Sequence, residues 1–329
     1  MSRNPLAVAM AALTVAWGVA SSPVSAADVF PARSVRWVVP FAPGASNDVI
    51  ARVFAQRLGE LWGQQVIVDN RSGAGGMLGA DIVAKSPPNG YTLLMANPGA
   101  NAIVFAMDAK APYRVEDFAA VSLLGWSPIL LVVNSASPAN TVRDIIAMAK
   151  ARPGKLSAGS SGTGGSSHLA LELFRMLAGV DILHVPYKGA SPAIVDLIAG
   201  QLQLIFTTSA TASPMVSAGK LKVIATAGNQ RLPLYPAIPS TAEQGLAGFD
   251  VPIWFGVSVP SATPRSTVAR LNAGLEQALA SSDLRERLAG LGVQPQGGPP
   301  ERFARFLADE IVRWRQVLKA AKVSITELN

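Results

Sequence analysis

Apolar positions in the first third of the chain keep two rhythms in turn. Val35–Phe41 (VRWVVPF) is a short run rich in β-branched and aromatic residues, which predicts a strand. Over Asp48–Trp62 the apolar side chains return as Val49/Ile50, Val53/Phe54, Leu58 and Leu61/Trp62, the three-to-four spacing of a helix with one buried face. Val66–Asp69 then reads as a strand, Gly76–Lys85 as a helix and Tyr91–Ala96 (YTLLMA) as a buried strand. A βαβαβ order of this kind builds a parallel sheet with helices on both faces.

A second series begins after Val121. Ile129–Val133 predicts a strand, and Thr141 opens a helix with Asp144 three residues on, the pattern of a capping box. Lys155–Gly159 and Ile182–Pro186 read as strands around a helix at His168–Ala178. Ser191-Pro192 predicts an N-cap with proline at the first helical position, opening a helix to Ile198. Leu202–Phe206 and Lys222–Ala227 are further strands. Two long apolar stretches frame this series: Val121–Val133, broken by Gly125 and Pro128, and Ile253–Pro260. One leaves and one returns, so they predict two α/β lobes joined by two crossovers. Helices at Arg265–Leu279 and Glu301–Lys322 are expected to pack back on the first lobe, the last through Phe303, Phe306/Leu307, Trp314 and Val317/Leu318. The expected division is 27–128 plus 255–329 for lobe I and 129–254 for lobe II.

Residues 1–26 stand apart from this pattern. Arg3, the apolar run Leu6–Ala20, the break at Ser21-Ser22-Pro23 and the small residues Val24-Ser25-Ala26 follow the order of a secretory signal peptide, cut after Ala26 or Ala27. The apolar run has 15 residues, where a membrane span needs about 20. The expected product is an exported, soluble monomer. Without a cysteine it is not a lipoprotein.

Composition narrows the chemistry. Half of the 329 residues are hydrophobic and 15% are charged, which excludes a disordered chain. The absence of cysteine excludes disulfides, thiol nucleophiles and zinc–thiolate sites, and two histidines argue against a histidine-rich metal site. No metal and no cofactor are expected. The net charge of +7 is spread over scattered basic residues with no run of five, so nucleic acid is not an expected partner. A modest positive field favours small anions.

In open α/β sheets, ligands sit beyond the carboxyl ends of the strands. The loops expected there are Ala42–Asn47, Arg71–Gly76 and Asn97–Asn101 in one lobe, with Ser160–Ser167, Tyr187–Ala190 and Thr207–Thr211 in the other. They are built from Gly, Ser, Thr and Asn, almost without charge. Pro43-Gly44-Ala45-Ser46-Asn47-Asp48 and Ser160-Ser161-Gly162-Thr163-Gly164-Gly165-Ser166-Ser167-His168 each run into a helix. Helix N-termini present unpaired N–H groups and a partial positive charge, which suit a carboxylate or phosphate. Facing each other, two such ends would hold an anion between the lobes.

Enzyme motifs mostly fail. Thr163 occupies the final glycine position of a nucleophile elbow at Ser161, and no phosphate-binding P-loop occurs. Gly73-Ala74-Gly75-Gly76-Met77-Leu78-Gly79 is a poor dinucleotide fingerprint because Leu78 replaces its third glycine. The chain is not expected to be an enzyme. The alternative is an exported hydrolase using Ser166 or Ser167 with His168, which would need an acid to orient the histidine. His168 is expected to touch ligand or backbone, and His184 to be structural.

PFAPGASNDVIAR (Pro40–Arg52), DNRSGAGGMLGADIVAKSPPNGYTLL (Asp69–Leu94), SSGTGGSSHLALELF (Ser160–Phe174), HVPYKGASPAIVDLIAGQ (His184–Gln201) and WFGVSVPSATP (Trp254–Pro264) together resemble the Bug family. Its members are periplasmic substrate-binding receptors of tripartite tricarboxylate transporters. The resemblance runs from about residue 35 to the end of the chain. It implies a two-lobed, type II-like Venus-flytrap fold, each lobe a mostly parallel sheet flanked by helices and joined to the other by two crossover strands. It also implies a small organic acid as ligand, held at Phe41–Asp48 and Ser160–His168, with the transporter's membrane subunits as partners; a sensor is the alternative recipient. The expected ligand-binding residues are Phe41, Pro43, Gly44, Ala45, Ser46, Asn47, Asp48, Asn97, Ser160, Gly162, Thr163, Gly164, Ser167, His168, Tyr187, Thr207 and Thr208, with Trp254 a further side chain to place. Two departures from the family pattern stand out. Ala45 replaces a glycine, so the loop path is expected to shift slightly. Thr207 and Thr208 replace an acid and an Asn, which leaves a ligand ammonium no counter-ion and predicts an acid without a free amine.

Overall fold

The computed structural model describes residues 30–107 and 110–320. The expected signal segment, 1–26, lies outside them, as does the expected last stretch of the C-terminal helix beyond Ala320. The first lobe opens with β1 (Val35–Val39), α1 (Ser46–Trp62), β2 (Val66–Asn70), α2 (Met77–Ala84), β3 (Thr92–Ala96) and a helical segment ending in α3 (Val104–Ala106). β4 (Phe118–Ser127) then leads to β5 (Ile129–Asn134). In the second lobe follow α4 (Val142–Ala151), β6 (Ser157–Ser160), α5 (Ser166–Ala178), β7 (Leu183–Pro186), α6 (Ala190–Ile198), β8 (Leu204–Thr208), α7 (Ser209–Ser217) and β9 (Leu221–Thr226). The chain returns through β10 (Ile253–Pro260) to α8 (Arg265–Leu279), α9 (Ser282–Gly290), β11 (Gln294–Pro295) and α10 (Pro300–Ala320).

The strands form two sheets, ordered β11-β4-β10-β3-β1-β2 and β7-β6-β8-β5-β9. The Val121–Val133 stretch is therefore two strands in two sheets, and it changes sheet at Pro128. Proline lacks the N–H that a continuing ladder would need, which makes it a natural break point. Both sheets are mixed. β1 runs parallel to β2 and β3, and β6 parallel to β7 and β8, whereas β10 and β5 are antiparallel to both of their neighbours. A strand arriving from the other lobe enters from the opposite end, so the crossover strands run against the sheets they join.

Alternation sorts side chains between the layers. Leu130 and Val132 of β5 pack with Ile205 and the face of α6, while Leu131 and Val133 point the other way against Phe174 and Phe206. A central strand covered on both sides is apolar throughout, which is why LLVV shows no polar alternation. Burying such a side chain stabilises the fold by about 1.5–3 kcal/mol. α10 packs against β4, with Phe303, Leu307, Trp314 and Leu318 buried. Trp254 is fully buried against Phe303 and Phe306, and its indole N–H donates to Glu310 at 2.9 Å. It is therefore a core residue of the first lobe.

Two local expectations change. The Thr141–Asp144 capping box is present on α4. On α6, however, the N-cap is Gly189 at φ 141°, and Ser191 and Pro192 lie inside the first turn. A Cβ at Gly189 would come within 3.0 Å of the Ala42 nitrogen in the other lobe, so the helix starts at a residue that can approach that backbone. Ala45 sits at φ −71° and ψ 158°, ordinary extended backbone, and the turn's positive φ falls on Gly44 at 78°. The loop therefore does not need a glycine at position 45.

Candidate functional site

The helices α1, α5, α6 and α7 begin at the cleft between the lobes. Their N-caps are Ala45, Gly165, Gly189 and Thr208, and none of these has a side-chain capping bond. The first-turn N–H groups have no intrahelical acceptor, so they remain available to whatever enters the cleft. Between them lies a small cavity with room for about two waters. Phe41, Ala45, Ser46, Asn47 and Asn97 line it from the first lobe. Ser161, Ser166, Ser167, Thr207 and Thr208 line it from the second, together with Ala190 and Phe206, and Ile253 closes the crossover side. Among the described residues, its wall carries no charged side chain. Asn47 is nearly buried, and its Oδ1 has no hydrogen-bond partner. Asn97 is committed: its Oδ1 accepts from the Ala100 N–H at 3.1 Å.

The lobes meet around this space. The Ala42 N–H donates to the Lys188 carbonyl at 3.2 Å. Gly75, at φ 62°, lies so close to the second lobe that a Cβ would overlap the Thr163 carbonyl oxygen. Gly162, at φ 123°, returns the contact, with its own Cβ position 3.2 Å from the Gly75 nitrogen. The seam is backbone against backbone, and glycine is what permits it.

The remaining expected site residues stand behind or beside the wall. Asp48 is 3% exposed and faces away from the cavity. Its carboxylate accepts from the Gly44 N–H at 2.9 Å, the Asn70 amide at 2.9 Å and the Arg52 guanidinium at 2.9 Å. Asn70 also donates to the Phe41 carbonyl at 2.9 Å. Burial alone would push the Asp48 carboxyl up. The Arg52, Gly44 and Asn70 hydrogen bonds and the Arg52 charge outweigh it and hold the group below the usual carboxylate range. Gly44 and Pro43 shape the turn, but their atoms do not line the cavity.

In the second lobe Ser160 is fully buried at the end of β6, where its Oγ accepts from the Gly162 N–H at 3.1 Å and lies 2.6 Å from His184 Nε2. The Gly164 N–H donates to His168 Nδ1 at 3.1 Å. The two imidazoles stack with centroids 3.8 Å apart and planes 14° from parallel. Burial pushes His168 down to about 3, helped by the charges of His184 and Arg175, and burial with the Arg175 charge pushes His184 down to about 4. Both rings are neutral at neutral pH. His168 Nε2 lies 3.6 Å from Glu172 Oε1, so a carboxylate does stand near this histidine, on its own helix rather than in a loop. Ser167 Oγ engages the Ser161 N–H and hydroxyl, both at 2.8 Å. Tyr187 donates to Asp196 at 2.5 Å, away from the cavity wall; burial, that hydrogen bond and the Asp196 charge push its hydroxyl up to about 12. Thr163 and Gly164 form the outer turn, with Thr163 on the seam.

Ser161, Ser166 and Ala190 belong to loops singled out from the sequence, but Phe206 and Ile253 have no chemical signature that would have selected them. His184 contacts Ser160 because parallel register pairs His184 with Ala158 and brings β7 beside β6. Among the described residues no group of three His, Asp or Glu side chains is placed to hold a metal, and no helix is long and apolar enough to cross a membrane.

Residues 50–323 match the profile of the tripartite tricarboxylate transporter family receptor. The chain belongs to that family. Among the relatives, protein BugT of Bordetella pertussis is 38% identical over 301 residues, spanning 91% of this chain and 92% of BugT. A solved R. palustris structure with adipate superposes with a TM-score of 0.87 at 36% identity, covering 90% of this chain and 99% of that one. MatC from Rhodopseudomonas palustris with bound malate superposes at 0.84 and 34% identity, covering 88% and 100% respectively. The receptor fold of the family, two α/β lobes about a cleft, is the fold of this chain.

Proposed function

We propose that this receptor works in the periplasm, closes on a small organic carboxylate without a free amine, and delivers it to the membrane subunits of a tripartite tricarboxylate transporter. One observation carries the reading. An uncharged cavity lies where uncapped helix N-termini from both lobes converge, with no carboxylate in its wall to receive an ammonium group. Each helix end favours an anion by about 0.3–1 kcal/mol, in addition to its hydrogen bonds. Adipate and malate in the two related structures support the same ligand class. A dicarboxylate needs more room than the present cavity, so the lobes part to admit it and close around it. The moving bodies in this reading are the two expected lobes, with the return boundary placed ahead of Ile253 because β10 pairs with β4 in the first sheet; the change of sheet at Pro128 supports the outgoing boundary.

A hydrolase built on Ser166 or Ser167 with His168 is disfavoured. His168 Nδ1 accepts a backbone N–H, and Ser167 bonds to Ser161. The deciding experiment is a melting-temperature screen against C4–C8 mono- and dicarboxylates and the amino acids aspartate and glutamate. Saturable stabilisation by an amine-free acid, without its consumption, is expected; at a hundredfold excess over Kd this amounts to about 2.7 kcal/mol. Tighter binding of aspartate or glutamate than of any amine-free acid would refute the amine-free assignment. No response to any acid would refute the receptor reading.

A further inference from the structure

We propose that His168 and His184 are positioning residues for ligand binding: stacked and uncharged, they set the backbone of the Ser160–Ser167 loop from behind, so that its donors point into the cavity. The inference rests on the receptor reading and deepens it. Neither ring lines the cavity, yet each is bonded to the loop that does.

The geometry dictates the tautomer of His168. The Gly164 N–H can only donate, so His168 Nδ1 must carry its lone pair and the ring proton sits on Nε2, toward Glu172. Ser160 Oγ accepts the Gly162 N–H and is hydrogen-bonded to His184 Nε2, and either group can supply the proton of that second bond. Gly162 and Gly164 both adopt positive φ, at 123° and 76°, so the loop takes a path that side-chain-bearing residues would resist. Glycine permits that path and does not enforce it. The two hydrogen bonds to the imidazole network select this conformation from those open to the glycines.

Protonation would undo the arrangement. An imidazolium at His168 turns Nδ1 into a donor facing the Gly164 donor, and it sets a positive charge against the neighbouring ring at 3.8 Å. The charged groups near the pair are Glu172 and Arg175 on α5, with Asp181 beyond Arg175 at 3.2 Å. Glu172 is held by Arg175 at 2.9 Å, which leaves it less free to compensate an imidazolium. Both donors being fixed also explains why a loop with three glycines between Ser161 and Ser166 needs no charged side chain to shape it.

Four single variants of the full chain test the proposal, with adipate and the tightest-binding acid of the screen as probes. His168→Leu removes the acceptor and His184→Leu the partner of Ser160; His168→Asn keeps an acceptor near Nδ1, and His184→Gln keeps a partner near Nε2. Expected is a loss of affinity of about tenfold or more for each Leu variant, the equivalent of one hydrogen bond. Recovery of most of that affinity is expected in His168→Asn and His184→Gln. A purely structural role would instead lower the ligand-free melting temperature of all four variants while leaving Kd unchanged. As a measurement independent of variant stability, the Gly164 and Gly162 amide resonances of the wild-type protein should move together as the imidazoles titrate. Wild-type affinity in the Leu variants, equal weakening in Leu and Asn or Gln variants of equal stability, or amide shifts that ignore the histidines would overturn the proposal. If the wild-type protein binds no acid in the screen, the receptor reading falls first and this proposal falls with it. If it binds and the variants match it, this proposal alone falls.

Discussion

The two halves of the cleft hold their loops by opposite electrostatic means. In the first lobe a carboxylate, Asp48, gathers the Gly44 N–H, the Asn70 amide and the Arg52 guanidinium behind the α1 N-terminus. In the second, two neutral imidazoles do the equivalent work for the loop before α5. A bare negative charge behind α1 would compete with an incoming anion for the positive helix end, and Arg52 offsets it. The second lobe has no such charge to offset. Both arrangements leave the cavity wall uncharged, while the helix N–H groups remain free toward the ligand.

The largest expected effect comes from breaking the ionic side. Asp48→Ala strands Arg52, Asn70 and the Gly44 N–H, and should cost about 3 kcal/mol of unfolding free energy by urea titration. Asp48→Asn should cost less, because it keeps an acceptor.

pH separates the two sides. His168 and His184 are the only histidines of the chain. Unfolded, they take up protons near 6.5; folded, only near 3 and 4, so acidification below 6.5 favours the unfolded chain. Stability should fall by about 2 kcal/mol between pH 6.5 and 5.5, and this slope should vanish in a His168→Asn/His184→Gln double variant. The Asp48 contribution has the other window. Its folded pKa is lowered, so its stabilisation is fully present above the unfolded carboxyl value near 3.8 and is lost only as pH falls below that. A pH-stability curve for Asp48→Asn should therefore match the wild-type slope above pH 5.

The smallest effect sharpens the comparison where the lobes touch. Gly75→Ala puts a methyl group against the Thr163 carbonyl and demands a positive φ of alanine. It should weaken acid binding about tenfold by opposing closure, with about 1 kcal/mol lost from ligand-free stability. Equal Kd values for variant and wild type, by calorimetry, would show that the lobes close without this seam.

Much of the frame was legible in the chain. The helical spacing from Val49 to Trp62, the Thr141–Asp144 cap and the apolar crossover through Pro128 depend on neighbours within a turn or a strand, and all three are present. Several of the Gly/Ser/Thr/Asn loops at strand ends contribute to the uncharged cavity wall, although Arg71–Gly76 does not. Less legible was the direction in which a loop residue faces. Asp48 and His168 share motifs with cavity residues, yet they stand behind the wall, because a helix turns successive side chains by about 100°. α6 starts at Gly189, where a side chain would crowd Ala42 of the other lobe, a contact that no local pattern announces.

By itself the sequence determined the two α/β series, the crossovers and the composition of the cleft, since each follows from periodicity and turn chemistry over a few residues. Only the tertiary structure decided that Ser160 meets His184, that His184 stacks on His168, and that Gly75 lies against Thr163. Those partners are separated by 24, 16 and 88 positions along the chain. What brings them together is sheet register and lobe closure, and no local pattern of residues encodes either.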